Sequence, residues 1–225
     1  RRCSARYMQV AGWQSGRRTV KVSCANEARA PRLPVAAGRP VTQGRESAEP
    51  RIDLTFVPTG ETNADVVIVI DVLRMTTNAV TLFEHGLAEL LVIADADEAK
   101  EVAARRDALL FGELGGVRLP TFHGGNSPLE HDTQRRGRTA ILCTSNGSRA
   151  VEAAVGAQHL LLGAIVNASA VARVAARLVG EEILVSCSGT GGRTSLDDVL
   201  AGGVIVEELL QLLPEARLSD GAKLA

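Results

Sequence analysis

Residues 66–72 read VVIVIDV. Five consecutive apolar residues, all valine or isoleucine, leave no side of a strand for water. β-Branched side chains are stiff at χ1 and suit an extended chain, and the run is too short for a buried helix. It therefore reads as a strand covered on both faces, the condition of a central strand in a mostly parallel sheet.

The sequence around that strand keeps the matching rhythm. From Arg51 onward, strand patterns at Ile52–Pro58, Val66–Val72, Leu90–Ala94, Ala108–Gly112, Thr139–Thr144, His159–Ile165 and Glu182–Ser188 alternate with helical patterns. The helices read as Met75–His85, Asp97–Arg106, Gly147–Val155, Ala168–Val179 and Ser195–Leu213. Alternation of this kind predicts an α/β fold: a three-layer α/β/α sandwich with a mostly parallel, mixed central sheet. The first strand is expected to pair antiparallel at or near an edge. Aromatic residues make up only 3% of the chain, so alanine, valine and leucine must fill the core.

Charge divides the chain unevenly. Residues 1–50 hold ten Lys and Arg against three Asp and Glu, whereas the other 175 hold 15 against 23. The acidic globular part argues against a nucleic-acid partner. Residues 1–50, rich in Arg, Ala, Gly and Pro and without periodicity, read as a disordered, dispensable extension, with a phosphatase-like α/β domain over 51–225 that is short at its C-terminus. No apolar run reaches 18 residues, so no membrane span is expected. Four cysteines, at 3, 24, 143 and 187, form no CxxC pair, which predicts a reduced, cytoplasmic protein without disulfides or zinc. A homo-oligomer is compatible with all of this.

Ligands of such sheets bind beyond the carboxyl ends of the strands. Four polar clusters stand there. In DVLRMTT, Asp71 ends the buried strand as a candidate metal ligand, Arg74 is placed for a phosphate or carboxylate, and Thr76 and Thr77 open a helix. In the loop after FGE, Glu113 ends a strand, and Asn126 and Ser127 of GGNSP are candidate anion donors. In CTSNGSR, Thr144, Ser145, Asn146 and Gly147 form a helix start suited to an anion. In VSCSGTGGRTSLDD, Ser188, Gly189, Thr190, Gly191 and Arg193 suggest a phosphate cradle. Ser195 and Asp198 have the spacing of a capping box, which would leave Asp197 to face the cleft. Cys187 and Arg193 also have the spacing of a cysteine-dependent phosphatase loop, but the same spacing recurs at Cys143 and Arg149.

DVLRMTT, GNSPLE, TSNGSRA and CSGTGGRTSLDD, in this order, resemble the 2-phosphosulfolactate phosphatase family over about residues 51–213. The resemblance implies an α/β, Mg2+-dependent phosphatase that converts 2-phospho-3-sulfolactate to 3-sulfolactate and phosphate, a step of coenzyme M biosynthesis. It implies a small phosphorylated acid as partner, with Asp71, Arg74, Glu113 and Asp198 in catalysis. Asp71 and Glu113, with Asp197 or Asp198, would hold the metal. The substrate would be held by Thr76, Thr77, Asn126, Ser127, residues 144–147, residues 188–191, Arg193 and Ser195. Leu114 and His123 depart from the family pattern, which usually has arginine and an acid there. Two rival readings stay open: a non-catalytic binding module for a phosphorylated acid, and a cysteine phosphatase using Cys187.

Overall fold

The computed structural model describes residues 6–14, 17–26, 49–60, 62–130 and 135–225. Its strands are β1 (Arg6–Gln14), β2 (Arg17–Asn26), β3 (Arg51–Thr55), β4 (Val66–Ile70), β5 (Glu89–Ile93), β6 (Leu109–Gly112), β7 (Thr139–Cys143), β8 (His159–Gly163), β9 (Glu182–Cys187) and β10 (Arg217–Leu218). Its helices are α1 (Met75–Glu84), α2 (Ala96–Arg106), α3 (Gly147–Ala153), α4 (Ala168–Leu178), α5 (Leu196–Leu212) and α6 (Asp220–Leu224). The fold is an α/β sandwich, and every strand and helix read from Arg51 onward is present.

The hydrogen-bonded strand order is β10-β3-β9-β4-β8-β1-β2-β5-β7-β6. Two parallel halves, β10-β3-β9-β4-β8 and β5-β7-β6, are joined by the antiparallel hairpin β1–β2. All five residues of β4 are buried, as the apolar run requires. β3 differs from expectation in direction: it lies next to the edge strand β10 and runs parallel to both of its neighbours.

One face of both halves contributes to a single core. Val67, Val69, Leu160, Leu162 and Leu184 from one half meet Leu90, Val92, Ala140 and Leu142 from the other around α1 and α3. The opposite face is covered by α4, α5 and α6 over β3, β4 and β9, and by α2 over β5, β6 and β7. The sheet therefore bends around α1 and α3, which brings the ends of β4 and β7 together although four strands separate them in the order.

Local chemistry fixes the elements. α2 begins where the Asp95 carboxylate accepts the N–H groups of Asp97 and Glu98, carries acids in its first turn and arginines in its last, and stops at Asp107 in the left-handed region. These are the charges a helix dipole favours.

The expectation of a disordered extension does not hold for residues 6–14 and 17–26, while residues 27–48 lie outside the described residues. In TVKVSC, Val20 and Val22 are buried and Lys21 between them is exposed, the period of two of a half-covered strand. Lys21 pairs with Glu89 of β5 at 2.6 Å, and Met8 of β1 joins the same core. The arginine-rich composition of the segment masked this short alternation.

Val22→Asp places an unpaired charge in that core and should lower the unfolding free energy by about 3 kcal/mol or more, roughly 10 °C in melting temperature. Lys21→Ala, losing a surface pair, should cost no more than about 1 kcal/mol. An unchanged melting temperature for Val22→Asp would remove the hairpin from the sheet.

Candidate active site

β4 ends on Asp71, whose backbone carbonyl and carboxylate organise the first turn of α1. The Thr76 N–H and hydroxyl both donate to the Asp71 carbonyl, at 2.9 and 2.8 Å. The carboxylate accepts the Met75 N–H at 3.1 Å, and the backbone N–H groups of Arg74 and Gly147 also act to lower its pKa. Gly147 starts α3 on the far half of the sheet. A Cβ at that position would overlap the Asp71 carboxylate and lie 2.7 Å from the Met75 methyl carbon, so only glycine lets α3 approach this closely.

Asp198, in the first turn of α5, reaches the same place. Its Oδ1 accepts the Val72 N–H at 2.9 Å, and its Oδ2 accepts the Ser188 hydroxyl and the Gly189 N–H, both at 3.0 Å. The capping box expected of Ser195 and Asp198 is absent. Ser195 instead donates its hydroxyl to Asp197, and Asp198 turns inward to tie the β4 and β9 loops. The roles expected of the two acids are thus exchanged.

Glu113, at the end of β6, is the third buried carboxylate. Its Oε1 accepts the Ser145 N–H at 2.9 Å, and its Oε2 accepts the Gly116 N–H at 2.6 Å and the Ser145 hydroxyl at 3.1 Å. Asn146 accepts the Gly191 N–H at 3.1 Å. The loops after β4, β6, β7 and β9 are thereby linked.

Several expected substrate-binding side chains also bond within the chain, as donors or as acceptors. The Thr77 hydroxyl donates to the Val72 carbonyl at 2.7 Å, and Thr144 and Ser148 cap each other's N–H groups. Asn126 accepts from Asn78 of α1 at 3.0 Å, and the Ser127 hydroxyl accepts from Leu129. The glycine-rich stretch is a tight turn rather than a ring of open donors: Thr190 and Arg193 bond each other, Gly189 bonds Asp198 and Gly191 bonds Asn146. Short polar side chains at strand ends serve neighbouring backbone groups first. Arg74 and Arg193 remain exposed, and no ion pair engages either guanidinium among the described residues. Sequence reasoning missed Asn78 and Ser148, whose roles depend on partners that only the fold brings near.

Burial pushes the Asp71 carboxyl up from 3.8 to about 6, and the Asp198 charge adds to the effect against the opposing N–H groups. Burial raises Asp198 too, with Asp197 adding and its hydrogen bonds opposing. Two buried carboxylates, with the charge of Asp198 felt at Asp71, could together hold a hard divalent cation. Among the described residues no three His, Cys, Asp or Glu side chains are grouped to hold a metal. The expected set of Asp71, Glu113 and Asp197 is not assembled, because Glu113 is turned to Ser145 and Gly116, and Asp197 to Ser195. The pair that fits is Asp71 with Asp198.

Cys187 is fully buried, with its sulfur 3.6 Å from where a Cβ on Gly202 of α5 would lie. Burial, with Asp198 and Asp197 adding, pushes its thiol up to about 12. Cys143 is likewise pushed up to about 11, chiefly by burial. A nucleophilic cysteine needs thiolate character, which both lack.

The Asp71 shift has a consequence for stability. A carboxyl raised on folding contributes stability that is fully present below 3.8 and is lost as pH rises through about 6. The contribution is on the order of 2–3 kcal/mol. Metal-free protein should therefore lose unfolding free energy between pH 4 and pH 7 through this group. Denaturant unfolding at both pH values should show a shallower fall for Asp71→Asn, and equal slopes would refute the shift.

The model of the 2-phosphosulpholactate phosphatase family matches residues 55–225. A protein of Deinococcus radiodurans named "Probable 2-phosphosulfolactate phosphatase" is 49% identical over 164 residues, 72% of this chain and 68% of that protein. A Thermus thermophilus protein of the same name is 42% identical over 163 residues, again 72% and 68%. A third of that name, from Carboxydothermus hydrogenoformans, is 38% identical over 178 residues, 76% and 72%. Three of the segments that carry the likeness, DVLRMTT, TSNGSRA and CSGTGGRTSLDD, meet around Asp71, and the chain belongs to the 2-phosphosulpholactate phosphatase family.

Proposed function

We propose that the protein is a phosphomonoesterase that hydrolyses 2-phospho-3-sulfolactate to 3-sulfolactate and phosphate, with Mg2+ held by Asp71 and Asp198. The observation that carries this reading is the convergence of Asp71, Asp198 and Gly147, from three different segments, at the carboxyl end of β4. The relatives' names supply the substrate, and the site's chemistry agrees with a small polyanion.

Arg74 and Arg193 offer planar, fixed-charge forks for phosphoryl oxygens. Asp71 and Asp198 would hold the cation and release protons to do so, since its charge would offset the burial that holds those protons on. Bound there, Mg2+ would neutralise phosphoryl charge and position water. The reaction adds the water oxygen to phosphorus, breaks the ester P–O bond and returns a proton to the departing alkoxide. The three carboxylates' hydrogen bonds keep the loops in place, so little reorganisation is left for the reaction itself.

Phosphate release from 2-phospho-3-sulfolactate should need Mg2+ and be abolished by EDTA. Asp71→Asn should cut kcat/KM about 100-fold or more while the protein unfolds cooperatively as before. Cys187→Ser should stay within about threefold, because that side chain only fills space under α5. A folded but inactive Cys187→Ser, together with EDTA-resistant turnover, would replace this mechanism with a cysteine nucleophile.

A further inference from the structure

Two reverse turns of the same construction adjoin the loop after β7. Leu114 and Val117 exchange two backbone hydrogen bonds of 3.0 and 3.1 Å, and Thr190 and Arg193 exchange two of 2.8 and 3.1 Å. Between them stand glycine pairs with positive φ, 60° and 82° at Gly115 and Gly116, 58° and 75° at Gly191 and Gly192. That is the two-residue hairpin turn for which paired glycines are preferred. A Cβ on any of the four glycines would meet open space, so no described atom packs against that side of the tips.

Each tip is tied by its first glycine to a side chain of the same neighbouring loop. Gly115 donates its N–H to the Ser145 hydroxyl at 2.7 Å, and Gly191 donates to the Asn146 side-chain oxygen at 3.1 Å. The acceptors are consecutive residues, while the turns come from different halves of the sheet, one after β6 and one after β9. The residue that follows the acceptors, Gly147, is the one pressed against Asp71. Glu113 orients Ser145 by taking its hydroxyl proton and its N–H, and also takes the Gly116 N–H. Among the described residues, the turn that carries Arg193 has Asn146 as the one side chain bonded at its tip.

We infer that Ser145 and Asn146 are positioning residues that act together as a latch, fixing the two glycine turns relative to Asp71 so that Arg193 and the Leu114–Val117 turn meet a small phosphorylated acid at a set distance. Neither residue is needed to touch the substrate, since both act through the turns they hold. A hairpin with an unpacked tip pivots at its base, and one hydrogen bond near the tip limits that pivot. The inference rests on the phosphatase reading for its kinetic consequence alone.

Amide hydrogen exchange on the full chain tests the latch directly. Asn146→Ala should speed exchange at Gly191 by about tenfold or more and leave Gly115 within about twofold, and Ser145→Ala should do the reverse. Asn146→Asp and Ser145→Thr keep an acceptor and should restore protection. With 2-phospho-3-sulfolactate, the alanine variants should raise KM several-fold while changing kcat less, more so for Asn146→Ala. Exchange that is unaltered at both glycines, or altered equally at both by either variant, overturns the latch, and so does a fall in kcat at constant KM. A wild-type protein that releases no phosphate counts against the phosphatase reading, and the exchange pattern still decides the latch.

Discussion

The Asp71 carboxylate is the point on which the rest of the site depends. It accepts an N–H from the first turn of α1 and lies against the first residue of α3, helices that follow strands in different halves of the sheet. Without an acceptor between them, two sets of uncapped helix donors would face each other. With it, the ends of β4 and β7 close on one another, and the sheet must bend around α1 and α3 to allow this. Asp198 and Glu113 repeat the device, each tying backbone N–H groups of a neighbouring loop. Helix starts that are suited to an external anion are thus bonded to the chain's own carboxylates.

This arrangement stores charge where water is scarce. Burial raises the proton affinity of both Asp71 and Asp198, and a neighbouring charge adds to each, Asp198 to the first and Asp197 to the second. Residues kept at a cost to stability are characteristic of sites rather than of scaffolds. Arg74 and Arg193 are exposed on the loops that follow β4 and β9, so fixed positive charge is carried on the same loops that the buried acids tie.

Much of the fold from Arg51 onward was legible because each element has a local cause. VVIVI has no polar side, α2 has its own cap and charge gradient, and glycines mark the turns. The hairpin β1–β2 was not legible, since its alternation is short and sits among arginines, and what selects it is the exposed edges of β8 and β5. In the site, Asp71 and Glu113 could be placed at strand ends from periodicity alone. The exchange of roles between Asp197 and Asp198 could not, because a capping box is a local rule and Asp198 is captured by Val72, 126 positions away in sequence. The reading of the glycine stretch as an open cradle failed for a similar reason: its N–H groups are taken by Asn146 and Asp198, which only the bent sheet brings within reach.

The proposed mechanism stands on the buried Asp71–Asp198 pair giving up protons for a cation. Its most direct measurement is a 13C NMR titration of the Asp71 carboxyl, with and without Mg2+. The account predicts a midpoint near 6 in metal-free protein and a clear fall in that midpoint when Mg2+ is added. A midpoint near 4 that Mg2+ does not move would contradict it.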